Sequence, residues 1–183
     1  MIRFLDKVGF AQLSSMNEIF DLTPTAFEYF SKYLLENEEY SNVRVRKKTG
    51  RYHADGGVDL EATRDGNIVY VQCKKWRGSF RGGFMPIDNI RALNGCMSRD
   101  GVSEGVFIST LPFGKQAKSE AKQMHIRLVG PNDIQSIMGR LNVSSSRKDF
   151  MIRNLITFSN KQSKGIIKLA LGLIVIFLGI LSL

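Results

Sequence analysis

Asp59, Gln72 and Lys74 are the residues of this chain whose types and spacing best fit a catalytic centre. They lie in two runs of alternating polar and apolar residues, GVDLEAT and NIVYVQCK, separated by Asp65-Gly66. Because Asp-Gly readily adopts the positive φ angles of a tight two-residue turn, the sequence predicts a β-hairpin. The turn sets the register so that the numbers of opposed residues sum to 131, which places Asp59 opposite Gln72.

The predicted hairpin has one polar face that could bind a metal ion and a phosphate. Opposed Cβ atoms lie ~5 Å apart, so Asp59 and Gln72 would meet, with Lys74 further along the same face. Mg²⁺ prefers such oxygen ligands, and an ammonium group stabilises charge that develops on phosphorus. The alternative is a solvated face on which Asp59 and Lys74 form a weak diagonal pair. The opposite face is apolar and is expected to contain Val58, Leu60, Ala62, Val69, Val71 and Cys73.

The elements around the hairpin predict an α/β domain of three layers with a mixed central sheet. Thr23 and Pro24 are typical of a helix start, and this helix should run to about residue 35. An amphipathic helical segment, residues 1–21, should precede it. The remaining predicted elements are a strand at 43–48, a helix at 87–97, a strand at 105–110, a helix at 114–124 and a strand at 126–129.

Six motifs occur in order along the chain: LTPTAFEYF, HADGGVDL, VQCKKW, RALNG, GVFISTLPFGKQAKSEA and IRLVGPNDI. Together they resemble the catalytic domain of Mrr-like type IV restriction endonucleases, within the PD-(D/E)xK nuclease superfamily. The resemblance spans about residues 22–138, and we take 22–140 as the nuclease domain. It implies a restriction-endonuclease-like fold and a DNA endonuclease that defends against foreign or modified DNA.

The resemblance also implies roles for four residues. Asp59 and Gln72 would bind the metal, Mg²⁺ with Mn²⁺ as a substitute, and Lys74 would be the catalytic lysine. Glu28 matches the glutamate that the family carries on its first helix. The alternative for Glu28 is an exposed helix residue paired with Lys32 at i+4.

A basic composition and a basic loop favour a nucleic-acid partner. The net charge is +9, and Lys75, Arg77 and Arg81 follow the proposed catalytic lysine. We interpret these three residues as contacts to the phosphates of double-stranded DNA, the alternative being a solvated charged loop. Because one active site cuts one strand, a homodimer is plausible. A second hypothesis is a module with a nuclease-like fold that binds nucleic acid without cutting it.

The last 19 residues, 165–183, favour a transmembrane helix over the alternative of a buried core helix, and they follow a basic linker at 141–164. Their single charge is Lys168, near the start of the segment. At the helical rise the segment measures ~28 Å, against a hydrocarbon core of ~30 Å, so Lys168 would reach the headgroups. The linker carries Arg147, Lys148, Arg153, Lys161 and Lys164 against one acid, Asp149. The positive-inside rule then predicts a single-pass protein of the inner membrane, held in the lipid by this helix, with its nuclease domain in the cytoplasm.

We expect the full chain to sediment with membranes and to resist extraction by high salt and by alkaline carbonate, because an apolar helix is held by the hydrocarbon core rather than by charge. A chain that ends at Lys164 serves as the control and should remain in the supernatant. Release of the full chain by salt alone would contradict the transmembrane assignment.

Overall fold

The computed structural model describes residues 10, 13, 15–46, 57–76 and 83–142, which belong to one compact unit that ends at Asn142. Arg77, Arg81, most of the predicted linker and the predicted transmembrane segment lie outside the described residues. Within the described ranges, no helix has the length and apolar character needed to cross a bilayer.

The helices and strands follow the predicted order. Thr23 caps the first long helix, since its side chain accepts a hydrogen bond from the Ala26 amide at 3.1 Å and Pro24 follows. Ser15 and Glu18 form a capping box on the short helix before it. The elements are α1 (Met16–Asp21), α2 (Pro24–Glu36), β1 (Ser41–Val45), β2 (Leu60–Arg64), β3 (Asn67–Lys74), α3 (Ile87–Asp100), β4 (Glu104–Ser109), α4 (Lys115–Gln123), β5 (Ile126–Val129) and α5 (131–142).

The strands form one mixed sheet in the order β1-β2-β3-β4-β5. The pairs β1–β2 and β2–β3 are antiparallel, whereas β3–β4 and β4–β5 are parallel. Asp65 and Gly66 both have positive φ angles, 51° and 83°. The register that this turn predicts is confirmed, because Arg64 pairs with Asn67 and Leu60 with Val71.

Helices cover both faces of the sheet and give the predicted three layers. Phe27 and Phe30 of α2 pack with β2, β3 and α5 on one face, in a cluster that includes Leu60, Val71 and Cys73. On the other face α3 and α4 pack against a second cluster that includes Tyr70 and Phe107. The hairpin strands therefore have apolar contacts on both sides, and a polar side chain there must find its partners within the protein.

Val58 departs from the predicted face. It packs in the second cluster with Tyr70, whereas Leu60 packs in the first. Regular pairing of β2 begins at Leu60, and the chain turns just before it at Gly57, whose φ is +95°. Strict alternation of sides holds only inside a paired strand, so it does not extend to Val58.

Candidate active site

Asp59 and Gln72 meet at the point where β2 begins. The Gln72 Nε2 donates to Asp59 Oδ2 at 2.7 Å, and the backbone amide of Cys73 donates to the same oxygen at 2.8 Å. Asp59 is 8% exposed and Gln72 2%. The alternative of a solvated polar face is therefore wrong, although the predicted opposition of the two residues holds.

The Asp59 carboxylate completes the hydrogen bonding of β3. On the side of β2, the paired residues end at Leu60 and Val71, and Cys73 lies beyond them. The Asp59 side chain accepts from the Cys73 amide where no strand partner continues the ladder. Hydrogen bonds to an ionised acceptor are short and strong, and a buried carboxylate needs them. Asp59 is thus positioned by the backbone of the strand that carries Gln72 and Lys74.

Gly57 makes room for the Gln72 amide. A Cβ atom at position 57 would lie 2.3 Å from Gln72 Oε1, and the φ of +95° already disfavours any other residue there. The Gln72 side chain is therefore confined between the backbone of Gly57 on one side and the Asp59 carboxylate on the other. This role was not predicted from the sequence, although the Gly56-Gly57 pair just before the motif was the signal that could have indicated it.

Glu28 is buried on α2, with an exposed fraction of 8%. Lys32, its expected partner in the exposed alternative, forms an ion pair with Glu36 at 3.2 Å. The structure therefore does not support the interpretation of Glu28 as an exposed helix residue. Lys74 is half-buried and is the last residue of β3.

The pKa of the Cys73 thiol depends on burial and on the charged residues near this end of the hairpin. Burial raises its pKa well above the usual range, and the charge of Asp59 raises it further. The charge of Glu28 adds to these effects, whereas the charge of Lys74 lowers the pKa. The structure joins Asp59 to Gln72, with Lys74 two residues further along β3 and Glu28 on the helix that packs on this face of the sheet. The catalytic roles of the four residues stay predictions.

Lys75 is half-buried and contacts the backbone of the first helix. Its Nζ donates to the carbonyl oxygen of Phe20, in the last turn of α1, at 3.0 Å. Lys75 therefore links α1 to the end of β3. Its predicted contact with phosphate would require this hydrogen bond to be exchanged or shared.

Within the described ranges, no group of three or more His, Cys, Asp and Glu side chains has the arrangement of a metal site. The candidate ligand set is instead one carboxylate and one amide, Asp59 and Gln72. Mg²⁺ is commonly held by one or two carboxylates together with waters and substrate phosphates, so this set matches its chemistry.

Comparisons with known proteins agree with this fold. The model of the restriction endonuclease family Mrr_cat matches residues 19–138. The chain is similar to the solved structure of the MspJI restriction endonuclease in complex with a 27-mer oligonucleotide, at 16% identity and a TM-score of 0.51, over 73% of this chain and 31% of that one. It is also similar to a protein of unknown function, AF1548, at 17% identity and a TM-score of 0.45, over 56% of this chain and 55% of that one.

The chain thus spans about half of one solved relative and about a third of the other. No match was found among curated proteins. The family model covers well over half of the chain, including α2, the hairpin and all of the predicted catalytic residues. The resemblance found in the motifs is therefore confirmed, and the chain belongs to the Mrr family of restriction endonuclease domains.

Proposed function

We propose that this protein is a metal-dependent endonuclease that hydrolyses phosphodiester bonds of double-stranded DNA, with Mg²⁺ as its ion and Mn²⁺ as a possible substitute. The observation that carries the proposal is the buried pair of Asp59 and Gln72, joined at 2.7 Å, on the hairpin that ends in Lys74. Membership of a restriction endonuclease family supports the reaction class. The oligonucleotide bound to the similar endonuclease MspJI supports DNA as the substrate.

Asp59 and Gln72 fit a divalent ion through the chemistry of their side chains. The Gln72 amide now presents nitrogen to Asp59 Oδ2. Amide nitrogen and oxygen exchange places by a half-turn of the side chain, and their assignment follows the hydrogen-bond network. Without a cation, nitrogen is favoured because it donates to the carboxylate, whereas a shared cation would favour oxygen. An ion held by these two residues would lower the pKa of a bound water and neutralise charge on the phosphate.

Lys74 and Glu28 supply the remaining charges of the site. The Lys74 ammonium, carried on the same strand as Gln72, would stabilise the negative charge that builds on the phosphate oxygens. Glu28 would add a second carboxylate from α2, where its side chain is buried. Two carboxylates with one ammonium give a site whose charge balance favours an additional cation.

The proposed setting follows from the sequence beyond the described residues. It is a nuclease held at the cytoplasmic face of the inner membrane by residues 165–183, acting as a homodimer in defence against foreign or modified DNA. Its support is the apolar segment, the basic linker and the family. The membrane extraction experiment tests the tether independently of nuclease activity.

Cleavage of methylated and unmethylated DNA by the full chain, with and without Mg²⁺, tests the proposed reaction. We expect Lys74→Ala and Gln72→Ala each to lower kcat at least ~100-fold, and their combination to cost little more, because residues that act as one unit are strongly non-additive. The reference variant is Lys122→Ala, which removes the same charge from the last turn of α4 and should cut at the wild-type rate. A well-folded Lys74→Ala protein that still cuts in Mg²⁺ would falsify the assignment. A wild-type chain that binds DNA but never cuts would favour the non-cleaving module.

Gly57→Ala is expected to weaken Mn²⁺ binding at least ~10-fold, measured by electron paramagnetic resonance. The added methyl displaces the Gln72 amide, a proposed direct ligand, and even the loss of a group that only supports a ligand lowers metal affinity ~10-fold or more. Gly83→Ala is the matched control. Gly83 also has a positive φ, +72°, but a Cβ there meets nothing within 4 Å. Equal affinities of the two variants for Mn²⁺ would show that Gly57 does not control the position of the Gln72 amide as a metal ligand.

The double variant Arg77→Ala, Arg81→Ala tests the basic loop, which lies outside the described residues. It should weaken binding to all DNA sequences alike and reduce the salt dependence of binding by about one unit for each phosphate that the variant no longer neutralises. Binding is measured by fluorescence anisotropy over a series of salt concentrations. An unchanged salt dependence of binding would favour the alternative, a solvated charged loop that does not contact phosphate.

A further inference from the structure

Thr110 follows β4 and forms hydrogen bonds with residues at and just after the end of β3. Its backbone amide donates to the carbonyl oxygen of Lys74 at 3.2 Å. Its hydroxyl accepts from the Trp76 amide at 2.8 Å and donates to the Trp76 carbonyl oxygen at 3.0 Å. Thr110 is 2% exposed, so water does not compete effectively for these bonds. One residue thus makes three hydrogen bonds that bracket Lys75.

These bonds continue the sheet beyond its last paired residues. The parallel ladder of β3 and β4 ends at Lys74 and Ser109. On the opposite side of β3, paired residues of β2 end earlier, at Val71. At Lys74 the chain is therefore held mainly from the side of β4, and Thr110 supplies the contacts that follow the ladder. The backbone direction at Lys74 sets the direction of its side chain.

We propose that Thr110 is a positioning residue for catalysis, which aims the Lys74 ammonium at the reacting phosphate by fixing the backbone on both sides of Lys75. This inference rests on the proposed nuclease function. Thr110 lies within the motif GVFISTLPFGKQAKSEA, but the sequence analysis assigned it no role. The role is separate from binding, since Thr110 is buried and touches the backbone of Lys74 and Trp76.

The positioning role depends on the hydroxyl group of Thr110. Valine has the size of threonine but cannot make either hydroxyl bond, and it removes the acceptor of the partly buried Trp76 amide. Serine keeps the hydroxyl. Because a displacement of ~1 Å at a catalytic group can cost about 100-fold in rate, Thr110→Val should lower kcat by 10-fold to 100-fold. The KM for DNA should stay within about twofold, since binding energy from the remaining phosphate contacts is retained.

Trp76 is the single tryptophan of the chain, which gives the test a readout that needs no nuclease activity. In Thr110→Val, the tryptophan emission should shift to longer wavelength and become more accessible to a soluble quencher, because neither hydroxyl bond then holds the Trp76 backbone. Thr110→Ser should restore the emission and kcat together. Tyr70→Phe is the control, since it removes a hydrogen bond to Asp100, 3.0 Å long, elsewhere on β3. It should change neither the emission nor kcat.

The outcomes separate this inference from the proposed function. A wild type that cuts with a Lys74-dependent rate, together with a Thr110→Val protein of normal kcat, overturns the positioning role alone. Equal losses of kcat in Thr110→Val and Thr110→Ser also overturn it, because the hydroxyl would then be irrelevant. If the wild type does not cut, both proposals fail, and the emission still shows whether Thr110 holds Trp76. Should Thr110→Val not fold, hydrogen exchange of the wild-type Trp76 amide decides, and rapid exchange overturns the inference.

Discussion

The burial of one carboxylate sets most of the local structure around the site. Asp59 is almost excluded from water, so its charge is tolerable only where donors are fixed around it. The Cys73 amide and the Gln72 side chain are two such donors. Both belong to β3, so these two hydrogen bonds form only if the hairpin has its observed register. A slip of one residue would turn Gln72 to the other face and leave the carboxylate without its amide donor.

The Asp59 carboxylate lies beside the end of β3, where several elements of the fold meet. Lys74 ends β3, and the neighbouring parallel strand β4 ends beside it. Elements that follow parallel strands therefore meet at this edge, which is where ligand sites form in α/β sheets. Phe20 at the end of α1 accepts from Lys75, and Thr110 holds Trp76. Contacts from α1 and from β4 thus restrain the strand end that carries the proposed catalytic lysine.

The sequence predicted the features that depend on local rules, and it failed where tertiary contacts decide. The Asp65-Gly66 turn alone predicted the register, and from it the meeting of Asp59 with Gln72. The burial of that pair was not predicted, because it depends on helices that cover both faces of the sheet. The sequence assigned Val58 to the wrong face of the sheet, because the alternation of side chains between the two faces begins only at the first paired residue. The hydrogen bond of Lys75 to Phe20 spans 55 positions of the chain, and no pattern near Lys75 could indicate it.

An amide at position 72 has a physical consequence that a second acid would not have. Two buried carboxylates in contact repel each other, so the contact is stable only if one of them is protonated or a cation binds between them. Gln72 instead donates to Asp59, so no such repulsion arises between these two side chains. In the proposed metal-bound state, a half-turn of the amide would direct an oxygen of each side chain to the cation, at the cost of one hydrogen bond. Gly57 affects this rotation of the Gln72 amide, because glycine leaves a space beside Gln72 that any larger residue would fill.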